Sequence, residues 1–306
     1  MKQLLKLLLA VLLAILAVLC WNIKSDIQIE ELKEKYANEA SKFIEIDGLN
    51  VHYRDEGKGE TIVLLHGTAA SLHTWDQWTA DLIDQYRVIR LDLPAFGLTG
   101  TNEQFDYKTE NYVDFLAAFL NEIEVDSMYL AGNSLGGEIA WNYAANHTDQ
   151  VQKLVLLDPA GFSFDKKIPF IFKLARIPVL NTIIRYVTPR SFIEENIKEV
   201  YYDDGKITDK ILDTYYDICL REGNRQAFID RAKLNRKDNT ADLKNISVPT
   251  LVLWGKEDVW IPVSHADHFM KALPNAELAI MDETGHIPME ENPKESLKIA
   301  LDFMEK

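Results

Sequence analysis

The residues best placed to do chemistry begin with Ser134, in the run GNSLGG at 132–137. An apolar run at 128–131 precedes it, and a helical pattern over 135–146 follows. Glycines on either side of a serine permit a tight strand-to-helix turn that exposes Oγ. The free N–H groups and positive dipole end of the following helix favour a developing anion there. A serine hydroxyl is a weak nucleophile, so it needs a base, and the base needs an orienting acid. His286 is the candidate base. It lies in Asp282-Glu283-Thr284-Gly285-His286, directly after an apolar strand pattern at 277–281. Asp258 is the candidate acid. It follows the strand pattern at 250–254 through Gly255-Lys256-Glu257. The chain order serine, acid, histidine suits a nucleophile on such a turn. Glu257 is expected to point elsewhere, and Asp158, before Pro159, reads as part of a structural turn. His265 and His268, three apart on a polar helix, read as surface residues. His52, His73 and His147 have no matching context. Two backbone N–H groups, of Thr68 and Leu135, are the candidate oxyanion donors, each worth roughly 10²–10³ in rate. His66, next to Gly67, is expected to hold that loop by hydrogen bonds.

These residues need a scaffold that brings three strand ends together. Residues 43–46 and 50–54 read as a hairpin around Asp47-Gly48. Continuous apolar runs follow at 61–65, 86–91, 128–131, 153–157, 250–254 and 277–281. Such runs suit strands buried on both faces of a mostly parallel sheet. Helical patterns alternate with them, as over 112–124 and 135–146, which makes the class α/β. Residues 162–239 break the alternation, with helical stretches expected at 170–186, 191–202, 208–221 and 224–237. They are expected to form a helical lid over the C-terminal edge of the sheet, where ligands bind in open α/β sheets. The core is then 42–161 with 240–306.

The ordered motifs LLHG (64–67), DLPAFG (92–97), GNSLGG (132–137), LLDPAGF (156–162), WGKED (254–258) and GHIPMEENP (285–293) resemble the α/β-hydrolase superfamily over nearly all of 43–306. The resemblance implies an eight-stranded, mostly parallel sheet flanked by helices, with the lid after the sixth strand. It also implies a Ser134-His286-Asp258 triad with oxyanion donors at Thr68 and Leu135, and no cofactor or metal. Within that superfamily the chain looks like secreted or membrane-anchored ester-lipases, including anchored monoacylglycerol lipases. That similarity implies hydrolysis of carboxylic esters, lipid-like or acylglycerol esters among them, through an acyl-enzyme. Haloalkane dehalogenases and epoxide hydrolases carry Asp where Ser134 stands. The carbon–carbon bond hydrolases of aromatic catabolism share GNSxGG. They usually place Trp after the histidine and Gly-Pro-Gly after His-Gly, where this chain has Ile287 and Thr68-Ala69-Ala70-Ser71. That branch, thioesterase or acyl-transfer chemistry, and a catalytically silent binding module stay as alternatives.

The N-terminus is a separate object. Residues 7–21 carry no charged side chain, and 4–21 are interrupted only by Lys6. Eighteen residues span about 27 Å as a helix, close to a bilayer core. Lys2 and Lys6 precede the stretch, and Lys24, Asp26, Glu30 and Glu31 follow it. Residues 1–24 are read as an uncleaved membrane anchor with a cytoplasmic N-terminus and an extracytoplasmic catalytic domain. A cleaved signal peptide and a lipoprotein site at Cys20 are the competing readings. Residues 25–41 read as a charged helical stalk.

Lys plus Arg number 33 against 48 Asp plus Glu, a net charge of −15, which opposes binding to nucleic acid. Two cysteines, Cys20 and Cys219, exclude a disulfide framework. The charge is uneven. Residues 162–190 hold Lys166, Lys167, Lys173, Arg176, Arg185 and Arg190 against Asp165, a local +5 among many apolar side chains. A basic, apolar segment of this kind suits either a lid packed on the core or contact with a membrane surface. The expected partners are thus a small ester or lipid and the membrane.

Overall fold

The computed structural model describes residues 1–102, 104–163, 169–234 and 237–306. Eight strands form one sheet: β1 (Ser41–Ile46), β2 (Leu49–Gly57), β3 (Glu60–Leu65), β4 (Tyr86–Leu91), β5 (Met128–Asn133), β6 (Val151–Leu157), β7 (Thr250–Gly255) and β8 (Ala276–Met281). Their spatial order is β1-β2-β4-β3-β5-β6-β7-β8. β2 pairs antiparallel with β1 and β4, and the other neighbours pair parallel. The expected eight-stranded, mostly parallel α/β sheet is therefore what the chain forms.

The apolar runs explain the layering. Val63, Leu65, Leu130, Leu154, Leu156, Val252 and Trp254 point to one face. Ile62, Leu64, Ala131, Val155, Leu157, Leu251 and Leu253 point to the other. This is the period-2 alternation of a strand buried on both sides. The first face packs against α4 (Thr109–Glu122), α5 (Leu135–Asn146) and α11 (Ala266–Ala272). The second packs against α3 (Asp76–Leu82) and α13 (Pro293–Met304), with the short α12 (Pro288–Glu291) before it. After β3 the chain moves outward to β4, then returns across β3 to β5. The strand order reverses there, and a crevice opens at the C-terminal ends of β3 and β5.

Between β6 and β7 lie α6 (Phe170–Arg176), α7 (Leu180–Tyr186), α8 (Arg190–Lys198), α9 (Asp209–Cys219) and α10 (Asn224–Lys233). The single helix expected over 170–186 is two. Pro178 disfavours the helical conformation of the residue before it, and Ile177 is extended at φ −86°, ψ 120°. Val179 follows at φ +72°. Asp165, Lys166, Lys167 and Ile168 of the basic segment, and Asn235 and Arg236 of the last expected helix, lie outside the described residues.

α1 (Lys2–Trp21) is a 20-residue apolar helix, long enough to cross a membrane, and its described side chains are exposed except for the half-buried Leu19. Residues 25–41, expected as a stalk, are instead fastened to the body. α2 (Ile29–Tyr36) buries Leu32. Lys24 N–H donates to Tyr186 O (2.8 Å), Ile27 N–H to Leu220 O (2.8 Å) and Glu222 N–H to Ile27 O (3.1 Å). Arg225 donates to Lys24 O (2.9 Å) and to Asp26 (2.6 Å), and Tyr36 Oη donates to Asp217 (2.8 Å). Of the charges that suggested a solvated stalk, Asp26 pairs with Arg225 of α10 and Lys35 with Asp217 of α9.

Candidate active site

Ser134 sits between β5 and α5 at φ +54°, ψ −113°, a conformation costly for a side-chain-bearing residue. The surroundings hold it there. Ser134 N–H donates to Leu157 O (3.0 Å), and Ser134 O accepts from Glu138 and Ala160 N–H (2.9 and 3.0 Å). The flanking glycines are required by close approach. A Cβ on Gly132 would lie 2.3 Å from Gly136 O, and one on Gly136 would lie 2.2 Å from Leu65 O. Asn133, buried, donates its amide to Leu157 O (3.2 Å) and His286 O (2.9 Å), tying the turn to the histidine loop.

His286 and Asp258 come together from the loops after β8 and β7. His286 Nδ1 is 2.6 Å from Asp258 Oδ2, and both residues are buried. Asp258 Oδ1 accepts from Trp260 and Ile261 N–H at 2.7 and 2.9 Å. His286 N–H donates to Val200 O (2.8 Å), and Trp260 lies 5.7 Å from the imidazole, ring to ring. Nε2 of His286 makes no hydrogen bond and faces the same cavities as Ser134. The serine and histidine are therefore adjacent but not hydrogen-bonded, as catalytic pairs often are before substrate binds. Asp158, at the end of β6, joins the group. One ligand-type atom each of Asp158, Asp258 and His286 lies within 4.8 Å of the other two. Asp258 Oδ1 accepts two backbone N–H groups and Oδ2 faces His286 Nδ1, while Asp158 Oδ2 has no donor. Burial first, and then the Asp258 charge, push the Asp158 carboxyl well above the ordinary carboxylate range.

The loop after β3 faces the serine turn, and a Cβ on Gly67 would lie 2.9 Å from Asn133 Oδ1. Among the described residues, neither Thr68 nor Leu135 N–H has an acceptor, which leaves both available to a ligand. His66 Nδ1 donates to Gly67 O (2.7 Å), and Nε2 accepts from Leu93 N–H (3.0 Å). Burial lowers the His66 pKa, consistent with this neutral tautomer.

Two cavities meet at Ser134 and His286. One, partly open to solvent, is walled by apolar side chains of α6 to α10, including Ile184, Phe192, Ile193, Ile218 and Phe228. The other, also partly open, is more polar and includes Lys108, Glu138, Arg176 and Arg231. Arg231 donates to Thr68 Oγ1 (3.0 Å) and stacks near Phe96 and Tyr112 at 5.6 and 5.7 Å. No carboxylate pairs with its guanidinium among the described residues, and its Nε is unbonded.

Residues 62–298 match the family model described as the alpha/beta hydrolase family. The chain belongs to that family. The alpha/beta hydrolase is 28% identical over 263 residues to an uncharacterised hydrolase, YugF, of Bacillus subtilis (strain 168), covering 85% of this chain and 96% of YugF. It is 25% identical over 291 residues to 2-hydroxy-6-oxo-6-phenylhexa-2,4-dienoate hydrolase of Comamonas testosteroni, covering 90% and 98%. Among solved structures it resembles a membrane phospholipase A described as a bacterial virulence factor. The TM-score is 0.74 at 27% identity, covering 100% of this chain and 98% of that one.

In this alpha/beta hydrolase the five residues singled out from sequence, Ser134, Asp258, His286, Thr68 and Leu135, border one site. Glu257 Oε2 instead accepts Thr284 N–H (3.0 Å) and braces the β8 loop. His265, expected on the surface, is buried, because its short helical turn packs into the sheet-side core. Asp158, expected in a turn only, touches the candidate triad. Glu291 was missed altogether. Its buried carboxylate accepts N–H groups of Gly285 (2.7 Å), Tyr202 (2.9 Å) and Asp203 (2.8 Å), locking the histidine loop to the segment after α8. Its position five residues after His286 was the available signal.

Proposed function

We propose that this alpha/beta hydrolase is a membrane-tethered serine hydrolase that cleaves carboxylic esters of acyl lipids. The observation that carries this reading is the apolar cavity that starts at Ser134 and is walled by α6 to α10, which suits a fatty acyl chain. In the proposed cycle, His286 Nε2 takes the Ser134 proton as Oγ bonds to the ester carbonyl carbon. Asp258 holds the imidazole through Nδ1 and stabilises the imidazolium. Thr68 and Leu135 N–H groups bind the oxyanion. The proton passes to the alcohol oxygen as the C–O bond breaks. Water, deprotonated by His286, then releases the acid. The helices over 162–239 serve as the lid.

The membrane part rests on α1 and on what lies beside its end. Phe170, Ile177, Val179 and Tyr186 of the α6–α7 region are 46–70% exposed, an unusual display of apolar area. Lys173, Arg176 and Arg185 lie on the same two helices. Ile23, two residues past α1, pairs with Val187. On this reading the lid face sits beside the point where the chain leaves the bilayer, and Lys2 and Lys6 before α1 favour a cytoplasmic N-terminus. The full-length likeness to a membrane phospholipase A supports the same reading.

The test uses the full chain in nanodiscs, with a series of p-nitrophenyl esters, monoacylglycerols and phospholipids. We expect hydrolysis that vanishes in Ser134→Ala. Full activity in Ser134→Ala, or no ester cleaved, overturns the reading. A second reading, hydrolysis of a carbon–carbon bond in a dienoate, is favoured by the unpaired Arg231 guanidinium beside Thr68 and by the Comamonas relative's name. Turnover of a 2-hydroxy-6-oxodienoate by the same preparation, with ester activity absent, would select it.

A further inference from the structure

Asp158 stands apart from the machinery assigned above. It lines neither cavity, so it does not touch substrate. It is fully buried, and its backbone is held at φ +44°, a costly conformation for an aspartate. Its Oδ1 accepts Gly255 N–H at 2.9 Å, on the strand end that leads into Asp258. Its Oδ2 has no donor. The charged or titratable groups around it are Asp258 from the β7 loop, and His286 and Glu291 from beyond β8. An ionised Asp158 would bury an unpaired oxygen facing a second carboxylate, which is costly on both counts. A protonated Asp158 resolves both. Its O–H finds an acceptor in Asp258, while Oδ1 keeps the Gly255 N–H.

We propose that Asp158 is a positioning residue of the triad: a neutral acid whose hydroxyl donates to Asp258 and so fixes the carboxylate under His286 Nδ1. Asp258 is then held from two sides, by Trp260 and Ile261 N–H on Oδ1 and by the Asp158 hydroxyl. One carboxylate is the ion and the other is its clamp. The two acids share one proton, and no proton leaves the pair during turnover. The proposal rests on the serine–histidine–aspartate reading and adds a fourth member to it.

The experiment compares Asp158→Asn and Asp158→Ala in the full chain. The measurements are kcat, KM and the pH profile of kcat/KM on a p-nitrophenyl ester, and the rate of labelling by a fluorophosphonate. Asparagine is neutral, keeps an oxygen for Gly255 N–H and can donate to Asp258. Asp158→Asn is expected to retain kcat within about threefold, with an unmoved acid limb. Asp158→Ala removes the donor. Loss of one hydrogen bond to a charged group predicts a kcat roughly ten- to a hundredfold lower, with KM unchanged. Freed of that donor, Asp258 becomes a stronger partner for protonated His286, so the acid limb moves to higher pH.

An Asp158→Asn profile displaced to lower pH would show that the native group is an anion, and would overturn the proposal. So would an Asp158→Ala enzyme that melts earlier but keeps kcat and the acid limb. If Asp158→Ala does not fold, the Asp158→Asn profile decides alone. Ser134→Ala separates the two levels. Continued labelling in Ser134→Ala sinks the serine reading itself, whereas labelling lost there with the Asp158 variants behaving otherwise than stated sinks only the clamp.

Discussion

Glu291→Gln tests whether the histidine loop is held by one buried carboxylate. Glu291 is 3% exposed and accepts three backbone N–H groups. Oε2 serves Gly285, next to His286, and Oε1 serves Tyr202 and Asp203. Glutamine replaces one of these oxygens with an amino group that cannot accept. If the remaining oxygen keeps Tyr202 and Asp203, the buried Gly285 N–H loses its partner, at a cost of about 1–3 kcal/mol. The two surviving bonds lose their charge assistance, and hydrogen bonds to ions are roughly twice as strong as neutral ones. The total comes to about 2–4 kcal/mol. At roughly 2–3 °C per kcal/mol for a protein of this size, Tm falls by about 5–10 °C. Because the released segment carries His286, kcat should fall by roughly ten- to a hundredfold while KM changes little. Thermal melting and steady-state kinetics on the full chain provide the readout. A Glu291→Gln protein with wild-type Tm and kcat would refute the claim that this carboxylate positions the base.

Other changes have outcomes that follow from the same structure. Gly136→Ala would place a Cβ 2.2 Å from Leu65 O and 2.7 Å from His66 O, both backbone atoms. We expect a loss of roughly 3 kcal/mol or more in a melt and slow phosphonate labelling of Ser134. Arg231→Met removes a cation that has no carboxylate partner among the described residues, so neutral esters should be turned over nearly as before while KM for substrates with an anionic headgroup rises roughly tenfold or more. Equal KM changes for both classes would oppose this. Burial pushes the Glu290 carboxyl up to about 7, against the hydrogen bond from Tyr215 that lowers it. A raised acid favours the folded state while protonated, so its contribution is full below pH 4.5 and is lost as pH rises through 7. Glu290→Gln should therefore gain roughly 1–3 kcal/mol over the parent at pH 8 and nothing at pH 4, read by denaturant melts at both pH values.

Much of the sheet and the site was readable in the chain because the signals are local. Apolar runs marked the parallel strands, and the Gly132-Asn133-Ser134-Leu135-Gly136 spacing encodes a turn whose close contacts exclude a Cβ. His286 and Asp258 could be paired because each follows a strand at its C-terminal end. What escaped was set by contacts between distant segments. Asp158 lies 100 residues before Asp258, and only the β6–β7 pairing register brings the two strand ends level. The docking of residues 25–41 depends on Asp213, Asp217 and Arg225 meeting them from α9 and α10. The break at Pro178 was different, since proline itself carried the signal and an amphipathic pattern running through it hid the consequence.

The strapped connection after α1 has a kinetic consequence. Only Asn22 lies between Trp21 and Ile23, which pairs with Val187, a reach of about 7 Å at most. If α1 is the membrane anchor proposed above, a body tethered so closely does not tumble relative to the leaflet that holds it. On the function proposed here, substrate and enzyme then meet by lateral diffusion in two dimensions, with orientation already settled. Velocity should follow the mole fraction of substrate lipid in the surface and stay flat when inert lipid vesicles are added in bulk. Dilution within the bilayer, rather than dilution of the suspension, becomes the variable that controls the rate.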